Sequence, residues 1–483
     1  MSVLTPGETC WRTERADRTA FLVDTEAYFT ALYEAMMKAR RSILILGWGF
    51  DPRARLFPDG YDGPDDPDEV GQVLLRLAHE RPEVDVRLLI WKSALPIAAS
   101  QEFFPHKARK WFRGSPVKFH LDDQVPFGAC HHQKVVIIDD RLAFCGGGDI
   151  SIDRWDTPGH LEHDHRRIMP DQECHAPRHE VMMMVDGAAA RALADHFRER
   201  WRCAVHGEVL DPPQDAGGDP WPDHVPPHLL DAPIAIARTT PAWKRQARVD
   251  EILRLALACI VDARETIYLE NQYFTSPVIT EALARRLAEP EGPEVVLVTT
   301  GQAPSWFDRL TMDNARGAMV WRLRSADVFG RFRALYPVTS AGSKIIVHSK
   351  TSIFDDRVVR VGSANLNNRS FGFDTEIELA VECDGEVARG QATALLNRLV
   401  GHFLGYTGEA VAKARAELGG LVHAIDHLNR EGRLRQVDPS RSSRFAELVA
   451  ALHLGDPAGP EDSWRLGRRR ERLFAEARSL EPR

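Results

Sequence analysis

Residues 131–140 read HHQKVVIIDD, and residues 347–356 read VHSKTSIFDD. In each stretch a histidine and a lysine lie two positions apart, so on a β-strand both side chains point to the same side. A short strand-like run follows, VVII in the first and TSIF in the second, and an aspartate ends the motif. The repeated pattern HxKxxxxD therefore predicts a base and a cation side by side at the start of a core strand, twice in one chain.

The match between the two stretches extends beyond the motif. Around the motif the offset is 216 residues, and it holds for the following Asp-Arg pair and for a glycine further on. Upstream, RRSILILGWGF at 40–50 parallels RETIYLENQYF at 264–274, and VDVRLLIW at 84–91 resembles PEVVLVTT at 293–300. Helices and short apolar strands alternate in the same order in both halves, which is typical of an internal duplication. We therefore predict an α/β fold with two duplicated α-β-α domains, whose sheets are mixed and largely parallel.

The domain boundaries follow from a change in composition. Residues 211–233 contain seven prolines and no hydrophobic periodicity, which predicts a linker between the copies. The first domain then covers residues 1–210, and the second covers 234–410. Residues 411–483 are predicted to form a helical extension with a basic tail. Two roles for the tail stay open: contact with anionic lipid head groups, or an ordinary solvated helix.

Charge and composition restrict the class of protein. Lys and Arg number 62 against 70 Asp and Glu, a net charge of −8, whereas a long nucleic-acid-binding face usually brings a basic excess. Seven cysteines without a C-x-x-C pair indicate reduced thiols. The N-terminus lacks the apolar core of a signal peptide, and no apolar run reaches about 18 residues. We expect a cytoplasmic or peripherally membrane-bound protein, with export without a cleavable signal left open.

Small residues follow the motif strand in both copies, GGGD at 146–149 and GSAN at 362–365. They let backbone N–H groups approach an anion closely, and a polar side chain beside them can also contact it. Two histidines, two lysines and an asparagine around one cavity form a phosphate site in which lysines supply the charge that a metal supplies elsewhere. One histidine can attack phosphorus while the other protonates the departing oxygen. We therefore expect a reaction without a cofactor and without a metal.

The motifs HHQKVVIIDD…GGGD…RWD, ENQYF and HSKTSIFDD…GSAN…NRS together resemble the phospholipase D superfamily, and more closely its lipid-cleaving members with two motifs. The resemblance covers residues from about 20 to 410. It implies two halves packed face to face about a pseudo-two-fold axis, with one motif from each half in a shared cleft. It also implies that His132 is the nucleophile and that His348 is the general acid and later the base.

The resemblance assigns further residues to the site. The catalytic set comprises His132, Lys134, Asp139, His348, Lys350 and Asp355, in which the aspartates mainly order the strand ends. The predicted phosphate ligands beyond this set are Asn365, Ser363, Gly147, Gln272 and Asn271. The predicted supporting residues are Glu180 and Glu376, as acidic partners of the histidines, and Asp149. Because Asp149 stands where the commonest pattern has asparagine, we expect it to face away from phosphate, toward Arg154.

Residues 160–179, HLEHDHRRIMPDQECHAPRH, contain five histidines and one cysteine. Their spacing matches no standard zinc ligand set. We therefore expect a mobile loop that covers the cleft, with a metal site as the less favoured alternative.

The favoured function is a hydrolase or transphosphatidylase that acts on glycerophospholipids and leaves phosphatidic acid. A cardiolipin-synthase-like transferase comes second, because its usual form carries N-terminal membrane spans that this sequence lacks. A nuclease is disfavoured by the acidic charge, and a non-catalytic phospholipid-binding protein by the intact residues of both motifs. The sequence leaves hydrolysis against transfer, and the head group, undecided. We expect a phospholipid membrane surface as the partner, no nucleic acid, and a functional monomer, since both motifs lie in one chain.

Overall fold

The computed structural model describes residues 2–59, 68–93, 105–214, 218–303, 308–438 and 455–460. The strands of the first half are β1 (Arg12–Val23), β2 (Ser42–Gly47), β3 (Asp85–Trp91), β4 (Lys118–Asp122), β5 (Val135–Ile138), β6 (Leu142–Gly146), β7 (Arg178–His179) and β8 (Val181–Asp186). Its helices are α1 (Thr25–Lys38), α2 (Val70–Glu80), α3 (Pro105–Trp111) and α4 (Gly187–Ala204).

The second half repeats this succession. Its strands are β9 (Leu229–Thr240), β10 (Val249–Asp250), β11 (Thr266–Asn271), β12 (Glu294–Thr299), β13 (Phe332–Pro337), β14 (Ile346–Val347), β15 (Thr351–Phe354), β16 (Val358–Gly362), β17 (Glu376–Glu382) and β18 (Leu434–Gln436). Its helices are α5 (Glu251–Asp262), α6 (Pro277–Ala288), α7 (Asn314–Ala326), α8 (Asn368–Gly372), α9 (Glu386–Leu404), α10 (Gly408–Leu418) and α11 (Leu421–Leu428), and a π-helical turn, Arg309–Asp313, precedes α7.

One mixed sheet runs through both halves. Its strand order is β18-β13-β12-β11-β15-β16-β17-β9-β1-β8-β6-β5-β2-β3-β4. Outward from the central pair β9–β1, the equivalent strands of the two halves follow in the same order. The central strands are antiparallel, with Arg12 opposite Ile236. Because two equivalent strands that pair antiparallel are related by a local two-fold axis, this topology confirms the predicted duplicated α/β fold.

Several strands of the sheet need cover on both faces because they are apolar at nearly every position. β2 (SILILG) and β8 (VMMMVD) are buried along their whole length. On one face α4 and α9, one from each half, pack into a single core. On the other face α1 and α2 cover the first half, and α5, α6 and α7 cover the second. Each fully buried aliphatic side chain contributes about 1.5–3 kcal/mol, so the shared face holds the halves together.

The pairing within the sheet differs from the predicted one. Parallel pairs in the large sheet are confined to β2-β3-β4 and β11-β12-β13 among the described strands, and the strands nearer the centre are antiparallel. The reason lies in the turn after each motif strand. Asp139 and Asp140 both have φ 55°, and Arg141 N donates to Ile138 O at 2.9 Å. Two left-handed residues in a row form a type I′ turn, which reverses the chain into an antiparallel hairpin.

Two predicted boundaries lie elsewhere in the structure. β9 begins at Leu229, inside the predicted linker 211–233, because its first residues already pair with β1. The C-terminal region is not wholly helical, since β18 adds to the edge of the sheet beside β13. The basic tail lies outside the described residues.

Candidate active site

Each motif histidine is held by the backbone of the opposite half. The N–H of His132 donates to the carbonyl of Thr375 at 2.9 Å, and the N–H of His348 donates to the carbonyl of His179 at 2.9 Å. Around the second contact β7 and β14 form a short parallel pair between the two halves. Since Glu376 follows Thr375 and Glu180 follows His179, this crossing places each glutamate beside the histidine of the other half.

The side chains continue the crossing. His132 Nδ1 lies 3.1 and 3.0 Å from the two carboxylate oxygens of Glu376, and His348 Nδ1 lies 2.7 Å from Glu180 Oε2. A carboxylate at Nδ1 holds the proton there and leaves Nε2 with its lone pair free. Both histidines are thus prepared to act through Nε2.

Burial shapes the protonation of these pairs. Burial and the two lysines hold the pKa of His132 well below its ordinary value, and burial and Lys350 do the same for His348. Burial also raises the pKa of Glu180 and of Glu376 to about 7 in each case. Without a phosphate anion, both imidazoles are therefore neutral, and one must gain a proton before it can act as an acid.

Two serines support Glu376 from behind. Ser363 Oγ donates to Glu376 Oε2 at 2.5 Å, and Ser370 Oγ donates to Oε1 at 2.6 Å. Around Glu180 a small residue takes the corresponding place: a Cβ on Gly147 would lie 2.6 Å from Glu180 Oε1 and 2.9 Å from Lys350 Cδ. Gly147 thus makes room for side chains of both halves. Ser370 belongs to the NRS segment of the resemblance, and the spacing to Glu376 offered no sign of its contact.

The two lysines share one geometry but not one electrostatic environment. Lys134 Nζ donates to His132 O at 2.9 Å, and Lys350 Nζ donates to His348 O at 2.5 Å, so each ammonium lies on the side of its own histidine. Both side chains are almost fully buried. Lys134 also lies 3.4 Å from Asp149 Oδ2, whereas Lys350 lies 3.4 Å from the neutral Gln272 Oε1. Burial, only partly offset by Glu180, lowers the pKa of Lys350 to about 7.

The predicted direction of Asp149 is wrong. Its Oδ1 accepts hydrogen bonds from the backbone of Trp48 at 3.1 Å and Gly49 at 3.0 Å, and its Oδ2 faces Lys134. The guanidinium of Arg154 pairs with Asp153 at 2.7 Å instead. The glycine-containing turn after β2 presents two backbone N–H groups to Asp149. A carboxylate readily accepts hydrogen bonds from such groups.

The motif aspartates Asp139 and Asp355 order strand ends. Asp139 accepts hydrogen bonds from three consecutive backbone N–H groups, at residues 40–42, at 2.8, 2.7 and 2.8 Å. Asp355 accepts from the equivalent groups at residues 264–266 at 2.7, 2.8 and 2.9 Å. Each therefore fixes the start of the neighbouring strand, the structural part that the resemblance implied.

The predicted phosphate ligands divide into two groups. Asn365 Oδ1 is buried and has no hydrogen-bond partner among the described residues, and the Gln272 side chain reaches Lys350. Ser363 Oγ instead donates to Glu376, and Asn271 Oδ1 accepts from the backbone of Tyr273 and Leu366 at 3.2 and 3.0 Å. Ser363 and Asn271 could meet a phosphate only by giving up these bonds.

The histidine-rich segment is not simply a loop over the cleft. His160 and His179 are buried, and they meet Asp24 and His402 between the halves. His163 and His165 are exposed. The sequence offered no sign of this cluster, because two of its members lie far outside the segment.

Comparison with known proteins identifies the class. Residues 35–216 match the family model of phospholipase D, and residues 256–400 match the model described as cardiolipin synthase, PLD-like domain. Each model covers one half of the duplication. The chain belongs to the phospholipase D superfamily and contains two phospholipase D-like domains.

The individual relatives include both phospholipases D and a cardiolipin synthase. Phospholipase D A of Dictyostelium discoideum is 24% identical over 437 residues, or 74% of this chain and 32% of that protein. Phospholipase D2 of Bos taurus is 24% identical over 466 residues, 75% of this chain and 49% of that protein. Cardiolipin synthase A of Pseudomonas aeruginosa is 24% identical over 411 residues, 81% of this chain and 69% of that protein. The chain thus spans less than half of the phospholipases D named here.

A solved structure matches along nearly the whole length. The phosphatidylserine synthase of Haemophilus influenzae Rd KW20 covers 96% of this chain with 95% of its own, at a TM-score of 0.55 and 12% sequence identity. This likeness supports the two-domain fold. Within the described residues, no helix combines the length and apolar content that crossing a membrane requires.

Proposed function

We propose that the protein is a phospholipase D-type phosphodiesterase, which cleaves the head group from a glycerophospholipid through a phosphohistidine intermediate. The observation that carries the proposal is the crossed pair of histidine–glutamate contacts, with one buried lysine beside each histidine. This arrangement offers two imidazoles with free Nε2 atoms and two cations in one place. A phosphodiester needs such a set: a nucleophile, an acid and positive charge for the phosphoryl oxygens.

The proposed first step uses both histidines. The Nε2 lone pair of His132 attacks phosphorus, and the bond from phosphorus to the head-group oxygen breaks. His348, protonated once the anionic substrate is bound, gives its Nε2 proton to that oxygen. The His132 imidazole becomes positively charged, and Glu376 at Nδ1 stabilises it. Lys134, Lys350 and the amide of Asn365 bind the phosphoryl oxygens.

The second step reverses these roles. His348, now neutral, takes a proton from water, and the resulting nucleophile attacks the phosphorus on His132. The phosphorus–nitrogen bond breaks, phosphatidic acid leaves, and His132 returns to its neutral form. An alcohol in place of water yields a new phosphatidyl ester. We propose that charge compensation comes from lysines, and no step requires a metal ion.

Phosphatidyl transfer to a lipid hydroxyl is the second candidate. It is favoured by the match of residues 256–400 to the cardiolipin synthase model, and by the cardiolipin synthase of P. aeruginosa, of which the chain spans 69%. Both candidates use the same intermediate, so they differ only in the hydroxyl that reaches it. Either substrate lies in a bilayer, and we therefore propose that the protein acts on a membrane surface as a single chain.

One assay separates the candidates. Purified protein is incubated with vesicles of mixed phosphatidylcholine, phosphatidylethanolamine and phosphatidylglycerol, with and without ethanol, and products are identified by mass spectrometry. Phosphatidic acid, converted partly to phosphatidylethanol when ethanol is present, is the expected result. Cardiolipin from phosphatidylglycerol would identify the transferase. The absence of all three products, with His132→Ala as the inactive reference, would refute both.

A trapping experiment tests the assignment of the nucleophile. His348→Ala, given a phosphodiester whose leaving group needs no proton, should still form an acid-labile adduct on the peptide that contains residues 131–134. His132→Ala should form no adduct on any substrate. An adduct on His348 in that variant would reverse the two roles.

A further inference from the structure

A buried cluster of three histidines and one aspartate lies where the two halves meet. Asp24, His160 and His179 come from the first half, and His402 lies on α9 of the second. Their side chains are at most 4% exposed. One nitrogen or oxygen atom from each lies within 4.8 Å of the others. Phosphate transfer, as proposed above, uses none of these residues.

The distances within the cluster are those of a small coordination sphere. His160 Nε2 lies 2.7 Å from His402 Nε2, and His179 Nδ1 lies 2.9 Å from Asp24 Oδ1. The longer separations are 3.5 Å from His402 Nε2 to Asp24 Oδ2 and 3.9 Å from His160 Nε2 to Asp24 Oδ1. In a tetrahedral zinc site with bonds of about 2.0–2.1 Å, neighbouring ligand atoms lie about 3.3 Å apart. These separations, measured to one or the other oxygen of Asp24, lie on both sides of this value, and one ligand atom from each residue lies within 4.8 Å of the others, so binding would draw the four side chains closer together.

Carboxylates hold the far nitrogen of two of the three histidines. His160 Nδ1 lies 2.8 Å from Asp156 Oδ2, and His179 Nε2 lies 3.0 Å from Glu270 Oε2. Metal-binding histidines characteristically donate their second N–H to a carboxylate, which fixes the tautomer and turns the other lone pair toward the metal. With His160 donating from Nδ1, its Nε2 lone pair points at the cluster.

Asp24 is directed into the cluster against its local preferences. It precedes α1 with φ 67° and ψ 160°, a backbone region that is nearly confined to glycine, and its side chain does not cap the helix. Its Oδ2 is buried and accepts no hydrogen bond from the described residues. A buried carboxylate oxygen without a partner is unfavourable unless a cation compensates it. Asp24 therefore has the geometry of a ligand rather than of a helix cap.

The charged side chains in and around the cluster have a net charge that a divalent cation would neutralise. Asp24, Asp156 and Glu270 contribute three carboxylates, and Arg167, 3.4 Å from Asp156, contributes one positive charge. Metal-binding histidines are neutral, and with neutral histidines the remainder would be two negative charges, which a divalent cation would balance.

The duplication shows that the fold itself does not require this cluster. At the crossing contact of the other half, the position of His179 is taken by Thr375, whose Oγ1 lies 3.0 Å from His131 Nδ1. The same backbone arrangement thus closes with an uncharged residue. On that side His131 Nε2 also lies 3.1 Å from the buried carboxylate of Asp122, but among the described residues three histidines and a carboxylate gather only around Asp24.

We propose that Asp24, His160, His179 and His402 bind one divalent transition metal ion, and that this ion is zinc. Three imidazoles and one carboxylate match zinc in ligand type and number. The ion would fasten α9 of the second half to the first half. It would also fix His179, whose carbonyl accepts the N–H of His348 and which precedes Glu180. Its role is structural, and the proposal does not rest on the proposed reaction.

The direct test is the metal content of the full chain, purified without a polyhistidine tag. Inductively coupled plasma mass spectrometry after gel filtration should find one zinc ion per chain. His160→Gln and His402→Gln should each reduce zinc to well below one per chain. His163→Gln, in the same segment but exposed, should retain it. A wild-type protein without bound metal, or equal zinc in all four proteins, would overturn the proposal.

A second measurement covers variants that fail to fold. Wild-type protein stripped by a strong chelator should melt several degrees lower than the holoprotein, and added Zn²⁺ should restore the melting temperature. Co²⁺ in place of Zn²⁺ should give the intense visible bands of a tetrahedral site. If Zn²⁺ leaves the melting temperature unchanged and Co²⁺ gives no such bands, the cluster is held by protons alone and the metal site is refuted.

Discussion

Replacing Glu376 by glutamine removes a charge from the site while it keeps the length of the side chain. The two carboxylate oxygens lie 3.0 and 3.1 Å from His132 Nδ1, and the residue is fully buried. If His132 is the nucleophile, its ring becomes positive in the transition state and depends on this carboxylate. Glu180→Gln removes the equivalent charge beside His348, at 2.7 Å. Because the site is nearly symmetric, the pair of variants compares the two histidines under matched conditions.

The size of the effect follows from Coulomb's law. Two unit charges about 4 Å apart interact by about 4 kcal/mol at an effective dielectric constant of about 20. Since about 1.4 kcal/mol corresponds to a factor of ten in rate, this interaction sets an upper limit of about 1000-fold. A glutamine still accepts a hydrogen bond from Ser363 or Ser370, so part of the orientation survives. We expect Glu376→Gln to lower kcat/KM by about 100- to 1000-fold.

The assay uses two substrates to separate the roles. A phospholipid has a poor leaving group that needs a proton, whereas a p-nitrophenyl phosphodiester does not. Glu376→Gln should slow formation of the phosphohistidine with both. Glu180→Gln should slow the phospholipid reaction strongly and that step with the p-nitrophenyl ester only slightly, measured as the burst of p-nitrophenolate. Ser370→Ala, which removes a hydrogen bond to Glu376 but no charge, is the control and should cost less than about tenfold.

Two results would refute this reasoning. If both glutamine variants responded alike to the two leaving groups, the histidines would not have separate roles. If the pattern were reversed, with Glu180→Gln slow on both substrates, His348 would be the nucleophile. Circular dichroism and thermal melts establish that the variants are folded.

Three further predictions concern the lysines and one motif aspartate. Lys134→Ala and Lys350→Ala should each lower kcat/KM by about 100- to 1000-fold in folded protein, and a loss below tenfold would remove that lysine from the phosphate site. Because burial lowers the pKa of Lys350 to about 7 and a bound anion raises it again, binding of dimethyl phosphate should take up a proton above pH 7. Its Kd, measured by calorimetry, should then rise more steeply above pH 7 than below it, with this lysine contributing up to about tenfold per pH unit; a Kd independent of pH above 7 would contradict the assignment. Asp139→Asn should lower the free energy of unfolding in urea by about 1–3 kcal/mol, because the side chain then loses part of its three backbone hydrogen bonds. An unchanged unfolding midpoint would show that these hydrogen bonds to residues 40–42 are dispensable.

Much of the fold was predictable because the patterns that reveal the duplication each lie within a short stretch of sequence. The repeated motif, the strands at 40–50 and 264–274, and the alternation with helices all depend on patterns within short windows. The pairing of β1 with β9 depends on contacts about two hundred residues apart, and the pairs within each sheet were predicted as largely parallel. The antiparallel hairpin follows from left-handed φ angles at Asp139 and Asp140, which an Asp-Asp pair permits but does not announce.

The sequence predicted which residues lie in the site, but not which partner each of their side chains faces. Asn365 and Ser363 stand two positions apart after the same strand, yet Ser363 is used by Glu376 while the Asn365 oxygen has no partner among the described residues. Spacing gives no means to tell such cases apart, because it does not show which backbone the opposite half presents. The crossing of Glu180 and Glu376 has the same origin. It is set by backbone bonds between halves, and those exist only after the halves have met.

Departures from symmetry distinguish the surroundings of the two motifs, to which the proposed reaction assigns different tasks. Each motif has a histidine, a lysine, an aspartate that binds the start of the neighbouring strand, and a glutamate from the opposite half beside the histidine. Lys134 then faces the carboxylate of Asp149, whereas Lys350 faces the neutral Gln272 and has its pKa lowered to about 7. A lysine near its pKa, as Lys350 is, becomes mainly charged once an anion has arrived, because the anion favours the protonated form. We therefore expect proton uptake to accompany anion binding at Lys350, beside His348, the residue proposed to protonate the leaving group.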